Sequence, residues 1–188
     1  MGKRILHVQR HLSIQNRLTR VAWNFVWLIL YRCSPVALHG WRRFLLRCFG
    51  ASIGAGAHPY PSARIWAPWN LVMGEHSCLS HNVDCYCVDK IKIGAHSTVS
   101  QYSFLCSASH DYTKADMPLV TAPIVIGERV WITADVFVAP GVTIGDGAVI
   151  TARSSVFYDI DSWTVAAGTP AKSVKKRELL AGEAHPDV

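Results

Sequence analysis

The 188-residue sequence lacks several features that would have placed it in a different class of protein. A helix needs about 20 consecutive apolar residues to cross a bilayer. The apolar segment Val21-Ala-Trp-Asn-Phe-Val-Trp-Leu-Ile-Leu-Tyr31 stops at eleven. The first twenty residues, MGKRILHVQRHLSIQNRLTR, are polar and have neither the apolar core nor the small-residue cleavage site of a secretory leader. A cytoplasmic location is therefore expected, with cysteines 33, 48, 78, 85, 87 and 106 reduced and buried rather than paired. Charge is scarce at 17% of residues, and the excess is basic, 19 Lys and Arg against 13 Asp and Glu. That sign admits an anionic partner but does not choose one. The basic residues gather at the two ends, from Arg17 to Arg47 and from Lys172 to Arg177, and no zinc-finger, helix-turn-helix or RNA-binding signature is present. Nucleic acid is therefore not an expected partner.

What is present is a count of six. From Ile126 the sequence reads Ile-Gly-Glu-Arg-Val-Trp, Ile132-Thr-Ala-Asp-Val-Phe, Val138-Ala-Pro-Gly-Val-Thr, Ile144-Gly-Asp-Gly-Ala-Val, Ile150-Thr-Ala-Arg-Ser-Ser and Val156-Phe-Tyr-Asp-Ile-Asp without a gap. The same beat runs upstream through Met73, Leu79 and Cys85, then through Ile93, Val99 and Leu105, with two residues inserted between these triplets. A weaker triplet starts at Ile53 and includes Ile65. A beat with one large and one small inward residue suits a short strand and a corner, and three such units close a triangular coil of about 18 residues. Neighbouring coils then pair as parallel strands ~4.8 Å apart. A solenoid of this kind needs caps at its ends. The candidates are a helical N-terminal extension (1–50) and a C-terminal tail (163–188), flanking a coiled body over 51–162.

The segment from Val21 to Tyr31 reads as a helix packed on its own domain or on a neighbouring subunit. The alternative is a helix lying in a membrane interface, with Trp and Arg at headgroup depth and residues 17–49 making a peripheral contact. Phe44-Leu45-Leu46, with Arg42, Arg43 and Arg47 around it, reads as a second amphipathic helix ended by Gly50.

The beat fails once, at Ser107-Ala-Ser-His-Asp-Tyr-Thr-Lys-Ala-Asp-Met-Pro-Leu-Val-Thr-Ala-Pro123, before Ile124-Val-Ile-Gly resumes it. A protruding loop over 110–123 is expected, rooted at His110. With the hexads, this loop and the ending Trp163-Thr-Val-Ala-Ala-Gly-Thr-Pro-Ala-Lys172, the chain resembles the hexapeptide-repeat acetyltransferases. Ser34-Pro35, Trp41-Arg42-Arg43, Tyr60-Pro-Ser-Ala-Arg-Ile-Trp-Ala-Pro-Trp69 and Lys175-Lys-Arg-Glu178 carry the resemblance to their colanic acid biosynthesis branch, which is similar to the galactoside, maltose and nodulation-factor enzymes. The resemblance implies an all-β fold, a left-handed parallel β-helix, assembled as a homotrimer with active sites between subunits. It also implies O-acetylation of an exopolysaccharide-precursor sugar by acetyl-CoA, which acts as co-substrate with no bound cofactor.

Acetyl transfer from a thioester to a hydroxyl needs a base, an oxyanion donor and a slot for both substrates. A histidine suits the first role at neutral pH, and the resemblance assigns it to His110, with Asp111 as a candidate to orient the ring. It assigns the oxyanion donor to the backbone N–H of Ala134. The coenzyme A groove is assigned to Ala134 and Ala152, continuing to Thr169, with Lys172 and Lys175 facing the phosphates; a solvated basic tail is the other reading of these lysines. Ser80 and Val88 stand where the galactoside branch holds its sugar with Asn and Asp. Asp84 and Tyr86 are the substitute candidates for the acceptor, and Trp66 and Trp69 either stack on a sugar or pack under the N-terminal cap.

Three rival readings share this fold. One is a zinc hydratase like the γ-class carbonic anhydrases, built on His76, His96 and His81. Another is a non-catalytic scaffold. The third keeps the enzyme but routes the acetyl group through Cys106. Direct transfer without a metal is the expectation.

Overall fold

The computed structural model describes residues 13–179 together with the backbone of His7–Val8. The outermost parts of the N-terminal extension and of the C-terminal tail lie outside the described residues. Every counted aliphatic residue of the body is inside: Ile126, Ile132, Val138, Ile144, Ile150 and Val156 are buried, as are the fifth residues of those hexads, Val130, Val136, Val142, Ala148, Ser154 and Ile160. The inward pair of each hexad therefore builds a single core along the length of the solenoid.

The strands stack into three faces of a prism. Face I contains Ser52–Ile53, Leu71–Met73, Ile91–Ile93, Ile124–Ile126 and Thr143–Ile144, all in parallel register. Face II contains His58–Pro59, Cys78–Leu79, Thr98–Val99, Trp131–Ile132, Val149–Ile150 and the start of Thr164–Gly168. Face III contains Arg64–Ile65, Asp84–Tyr86, Phe104–Cys106, Phe137–Val138 and Ser155–Val156. Five coils close, and the sixth begins where Ile160 bridges to Ile144. The first two steps between coils, Ile53 to Met73 and Met73 to Ile93, are longer than the eighteen-residue step from Ile126 to Ile144. The extra residues sit in the corners from face III to face I, where Pro68–Asn70 forms a turn of 3₁₀-helix.

The remaining corners explain the polar hexad positions. The fourth residue is left-handed in His76, Asn82, His96, Tyr102, Arg129, Asp135 and Arg153, with φ from 53° to 63°. A tight turn between short strands demands this conformation, and here side chains other than glycine accept it. The second residue is glycine on the edge between faces I and II because coils meet there backbone to backbone. A Cβ on Gly94 would collide with the carbonyl of Gly127.

The two ends are closed differently. At the N-terminal end α1 (Ile14–Val26) continues as a π-helical turn, Trp27–Tyr31, and is followed by α2 (His39–Cys48) and by Gly50 at φ 84°. Trp23 and Trp27 donate their indole N–H groups to the carbonyls of Ile65 (2.6 Å) and Ala63 (3.0 Å), which seats α1 on the first coil. Arg42 is wholly buried in this cap, its guanidinium donating to the carbonyls of Pro59, Pro35 and Val36 and to Ser34 Oγ. At the other end Thr164–Gly168 turns back antiparallel into Ala171–Lys176, and Arg177 donates to the carbonyls of Arg129 and Gly147. Of the cysteines, all free, only Cys85 and Cys87 are buried; Cys33 and Cys48 are exposed on the helical cap, contrary to the expectation that all six fill the core.

Candidate active site

The excursion from the beat is a folded hairpin. Ala108–His110 pairs antiparallel with Leu119–Thr121, whose far edge pairs with His7–Val8. Its two roots are clamped at buried Ser107: Ser107 Oγ donates to the Tyr86 carbonyl and accepts from the Asp89 N–H, while the Ala122 N–H donates to the Ser107 carbonyl. The part of the loop expected to be irregular is thus partly strand, and the residues between Asp111 and Pro118 form its exposed tip.

His110 stands exposed at the end of the first hairpin strand, and its Nδ1 lies 2.7 Å from the Met117 carbonyl oxygen. A carbonyl can only accept, so Nδ1 carries the proton and Nε2 is left with its lone pair. Asp111 does not take this role. Its carboxylate accepts from the Thr113 N–H and Oγ1 and pairs with Lys114 at 3.5 Å. Those contacts, the Thr113 hydroxyl first, hold its carboxyl below the usual range. The ring's orienter is a main-chain carbonyl, for which no side-chain signal exists in a sequence.

Ala134 and Ala152 lie one above the other at the corner between faces II and III, in a shallow cavity of about 380 Å³ shared with Tyr102, Asp135 and Arg153. The Ala134 N–H finds no acceptor among the described residues, whereas the neighbouring N–H groups of Thr133 and Asp135 are bonded to the Ile150 and Gln101 carbonyls. It is therefore available to a ligand. Within one chain face III lies between the Ala134 corner and Ser107, the root of the His110 hairpin.

Lys172 and Lys175 are exposed on the terminal hairpin, opposite Ala167 and Val165. A register shift beside Val165 accommodates their odd spacing, so both lysines share the outward face of the hairpin. Thr169 stands at the turn, its hydroxyl 3.3 Å from Ser155 Oγ.

Asp84 and Tyr86 are half-buried, alternating with buried Cys85 on the outside of face III. Burial raises the Asp84 carboxyl, and the nearby Arg64 charge works against that rise. Burial likewise raises the Tyr86 hydroxyl. Tyr86 packs edge-on against Trp66 at 5.4 Å, and Trp66 in turn lies under the Arg20 guanidinium at 4.1 Å. Trp69 packs against the core beside Gly50. Asp84 also lines a cavity of about 680 Å³ between the helical cap and the first two coils, with Arg20, Arg32 and Arg64. Sequence reading missed this cavity because its basic residues come from separate elements.

The residues of the rival readings are dispersed. His76 and His96 stack at 5.2 Å on the corner between faces I and II, while His81 is on the next corner, beside Ser62 and Tyr60. Cys106 donates its S–H to the Ala108 carbonyl, and burial raises its thiol, which keeps it protonated and a poor nucleophile.

A hexad prism, a single histidine-bearing excursion and a corner groove of small residues define a hexapeptide-repeat acyltransferase. The bacterial transferase hexapeptide family (six repeats) matches residues 123–157. WcaF of Escherichia coli K12, described as a colanic acid biosynthesis acetyltransferase, is 46% identical over 155 residues, covering 82% of this chain and 85% of its own. Among solved structures, the hexapeptide-repeat acetyltransferase VCA0836 of Vibrio cholerae superposes with a TM-score of 0.79 at 26% identity, over 90% of this chain and 96% of its own. Its complex with acetyl coenzyme A gives 0.77 over 89% and 91%. A maltose O-acetyltransferase of Clostridium difficile 630 gives 0.76 at 25% identity, over 89% and 90%. The chain belongs to the colanic acid biosynthesis acetyltransferase family of the left-handed β-helix acyltransferases.

Proposed function

We propose that the protein transfers an acetyl group from acetyl-CoA to a sugar hydroxyl of an exopolysaccharide precursor, with His110 as general base. The single observation that carries the assignment is the Nδ1 contact to the Met117 carbonyl, which leaves Nε2 lone-pair-bearing on an exposed edge. In the step, Nε2 takes the acceptor hydroxyl proton as that oxygen attacks the thioester carbonyl. The Ala134 N–H donates to the oxyanion that forms. Collapse expels the coenzyme A thiolate, which takes the proton back from His110, so base and donor return to their starting states. No residue is acetylated, in keeping with the protonated Cys106.

The separation of His110 from the Ala134 corner within one chain supports a homotrimer in which the hairpin of one subunit closes the groove of the next. In this reading Lys172 and Lys175 meet the nucleotide phosphates, Ala152 and Thr169 line the path of the pantetheine arm, and Asp84 and Tyr86 meet the acceptor. The helical cap is proposed to rest on an anionic membrane surface. Ile14, Leu18, Val21 and Phe25 form one exposed stripe on α1, on the side opposite buried Trp23, and no helix among the described residues is long and apolar enough to cross a membrane. No Asp or Glu precedes Glu75, whereas ten Lys and Arg do. An apolar stripe with basic flanks suits an interfacial helix.

The deciding experiment is coenzyme A release from acetyl-CoA with sugar acceptors, read with product mass. Wild type should release coenzyme A in step with acetylated sugar, and His110→Ala should not. Equal slow release by both proteins with every acceptor would sink the assignment.

A further inference from the structure

The cavity under the helical cap carries more positive charge than anything near it explains. Arg20 from α1, Arg32 just after the π-helical turn and Arg64 from the first coil converge on it, against the lone carboxylate of Asp84. Arg32 and Arg64 are exposed and Arg20 is half-buried, and none of the three guanidiniums has a hydrogen bond or a close ion pair among the described residues. The Arg20 Nε is buried without a partner. Two of the three lie over indoles, Arg20 over Trp66 at 4.1 Å and Arg32 over Trp27 at 5.4 Å. Stacking fixes the planes of the guanidiniums and leaves the N–H groups on their edges free. Two planar forks oriented by stacking, with a third guanidinium open to solvent beside them, are what a phosphate ester recruits. Neighbouring Asn82 and Asp84 add polar groups suited to hydroxyls.

The cavity also has a position in the reaction. Asn82 occupies the corner between faces II and III on the second coil, Tyr102 the same corner on the third and Asp135 on the fourth. The cavity and the Ala134 groove thus lie along one edge of the prism, two to three coils apart, or about 10–14 Å at ~4.8 Å per coil. A sugar attached to a group bound in the cavity would extend toward the acetyl donor.

We propose that the Arg20, Arg32 and Arg64 cavity is a diphosphate-ester site that holds the phosphorylated end of the sugar acceptor. The site rests on the acetyltransferase reading above, and it gives that reading's acceptor a chemical class. The diphosphate is carried either by an isoprenoid lipid reaching in from the apolar face of the cap or by a nucleoside.

Calorimetry on the full chain, with the coenzyme A site saturated so that its own phosphate contacts are occupied, tests this directly. Inorganic pyrophosphate should bind, and Arg32→Gln and Arg64→Gln should each weaken it about tenfold, the loss of one charge-assisted contact. Unchanged melting and coenzyme A affinity would show that both variants are folded. Pyrophosphate binding that is absent, or equal in wild type and variants, overturns the proposal. Farnesyl diphosphate and uridine diphosphate form the second pair of titrations. Tighter binding of the first identifies a lipid carrier, tighter binding of the second a nucleotide carrier, and sensitivity of either to Arg64→Gln supports the site. Because the readout needs no turnover, pyrophosphate binding without acetyl transfer would remove the enzymatic reading and leave the site. Acetyl transfer that pyrophosphate does not inhibit would remove the site and leave the enzyme.

Discussion

The coils from Ile124 to Asp159 and the excursion from Ser107 to Pro123 belong to one prism but are held by different forces. In the coils every sixth side chain is buried, and position follows from counting. In the excursion most side chains at the tip are exposed, and position follows from main-chain bonds: Asp111 to Pro118, Lys114 to Asp111, Met117 to Lys114. Stability and chemistry are therefore assigned to separate regions. A substitution in one should be nearly silent in the other, and that separation can be attacked from both sides.

The largest effect is expected in the excursion. His110→Ala removes the proposed base and should lower kcat by about 10²–10⁴-fold, while the melting temperature stays near wild type because the exposed ring makes a single hydrogen bond among the described residues, to the Met117 carbonyl. A melting loss as large as a core truncation would show that the two regions are not separate. The matching attack on the coils is Leu105→Ala, at a fully buried position one coil below Val138. A cavity there should cost about 2–5 kcal/mol in chemical denaturation. The KM for acetyl-CoA of the folded fraction should not move. A shifted KM would mean that core packing sets the groove.

A smaller effect would sharpen the contrast at a third place, the terminal hairpin, which is paired like the coils but exposed like the excursion. Lys172→Ala with Lys175→Ala should raise the KM for acetyl-CoA roughly tenfold at low ionic strength and less as salt screens the charges. A KM unaffected at any salt concentration would return both lysines to the solvated-tail reading.

Legibility followed the same division. The hexads fixed the faces, because one inward side chain per strand leaves only one register, and Ile132 had to stack on Val99 and under Ile150. The failure of the count marked the place of His110. What the count could not reveal was anything made by main chain or by convergence: the Met117 carbonyl behind the imidazole, the Ser107 clamp, the hairpin pairing, and a cavity whose arginines are twelve and more residues apart. The acid-free stretch before Glu75 was readable, but which side of α1 it served depended on Trp23 pointing inward. Asp111, a candidate to orient the ring, could not be settled by counting for a related reason, since the turns of the tip direct its carboxylate toward Thr113 and Lys114.

That turn yields the smallest predicted effect and the finest test of the separation. The Asp111 carboxyl is held low by Thr113 and Lys114, so its folded pKa lies below its unfolded value. Its contribution to ordering the tip is therefore fully present above about pH 4, the ordinary carboxylate value, and is lost as pH falls through the lowered folded pKa. Amide protection factors across residues 111–118, corrected for the intrinsic pH dependence of exchange, should fall on acidification in wild type, whereas in Asp111→Asn they should be lower already at neutral pH and respond less to acid. The kcat at neutral pH should be the same in both proteins, because the partner of Nδ1 is the Met117 carbonyl and not the Asp111 carboxylate. If Asp111→Asn lowers kcat, the carboxylate does act on the ring, and the tip shapes the chemistry as well as the loop.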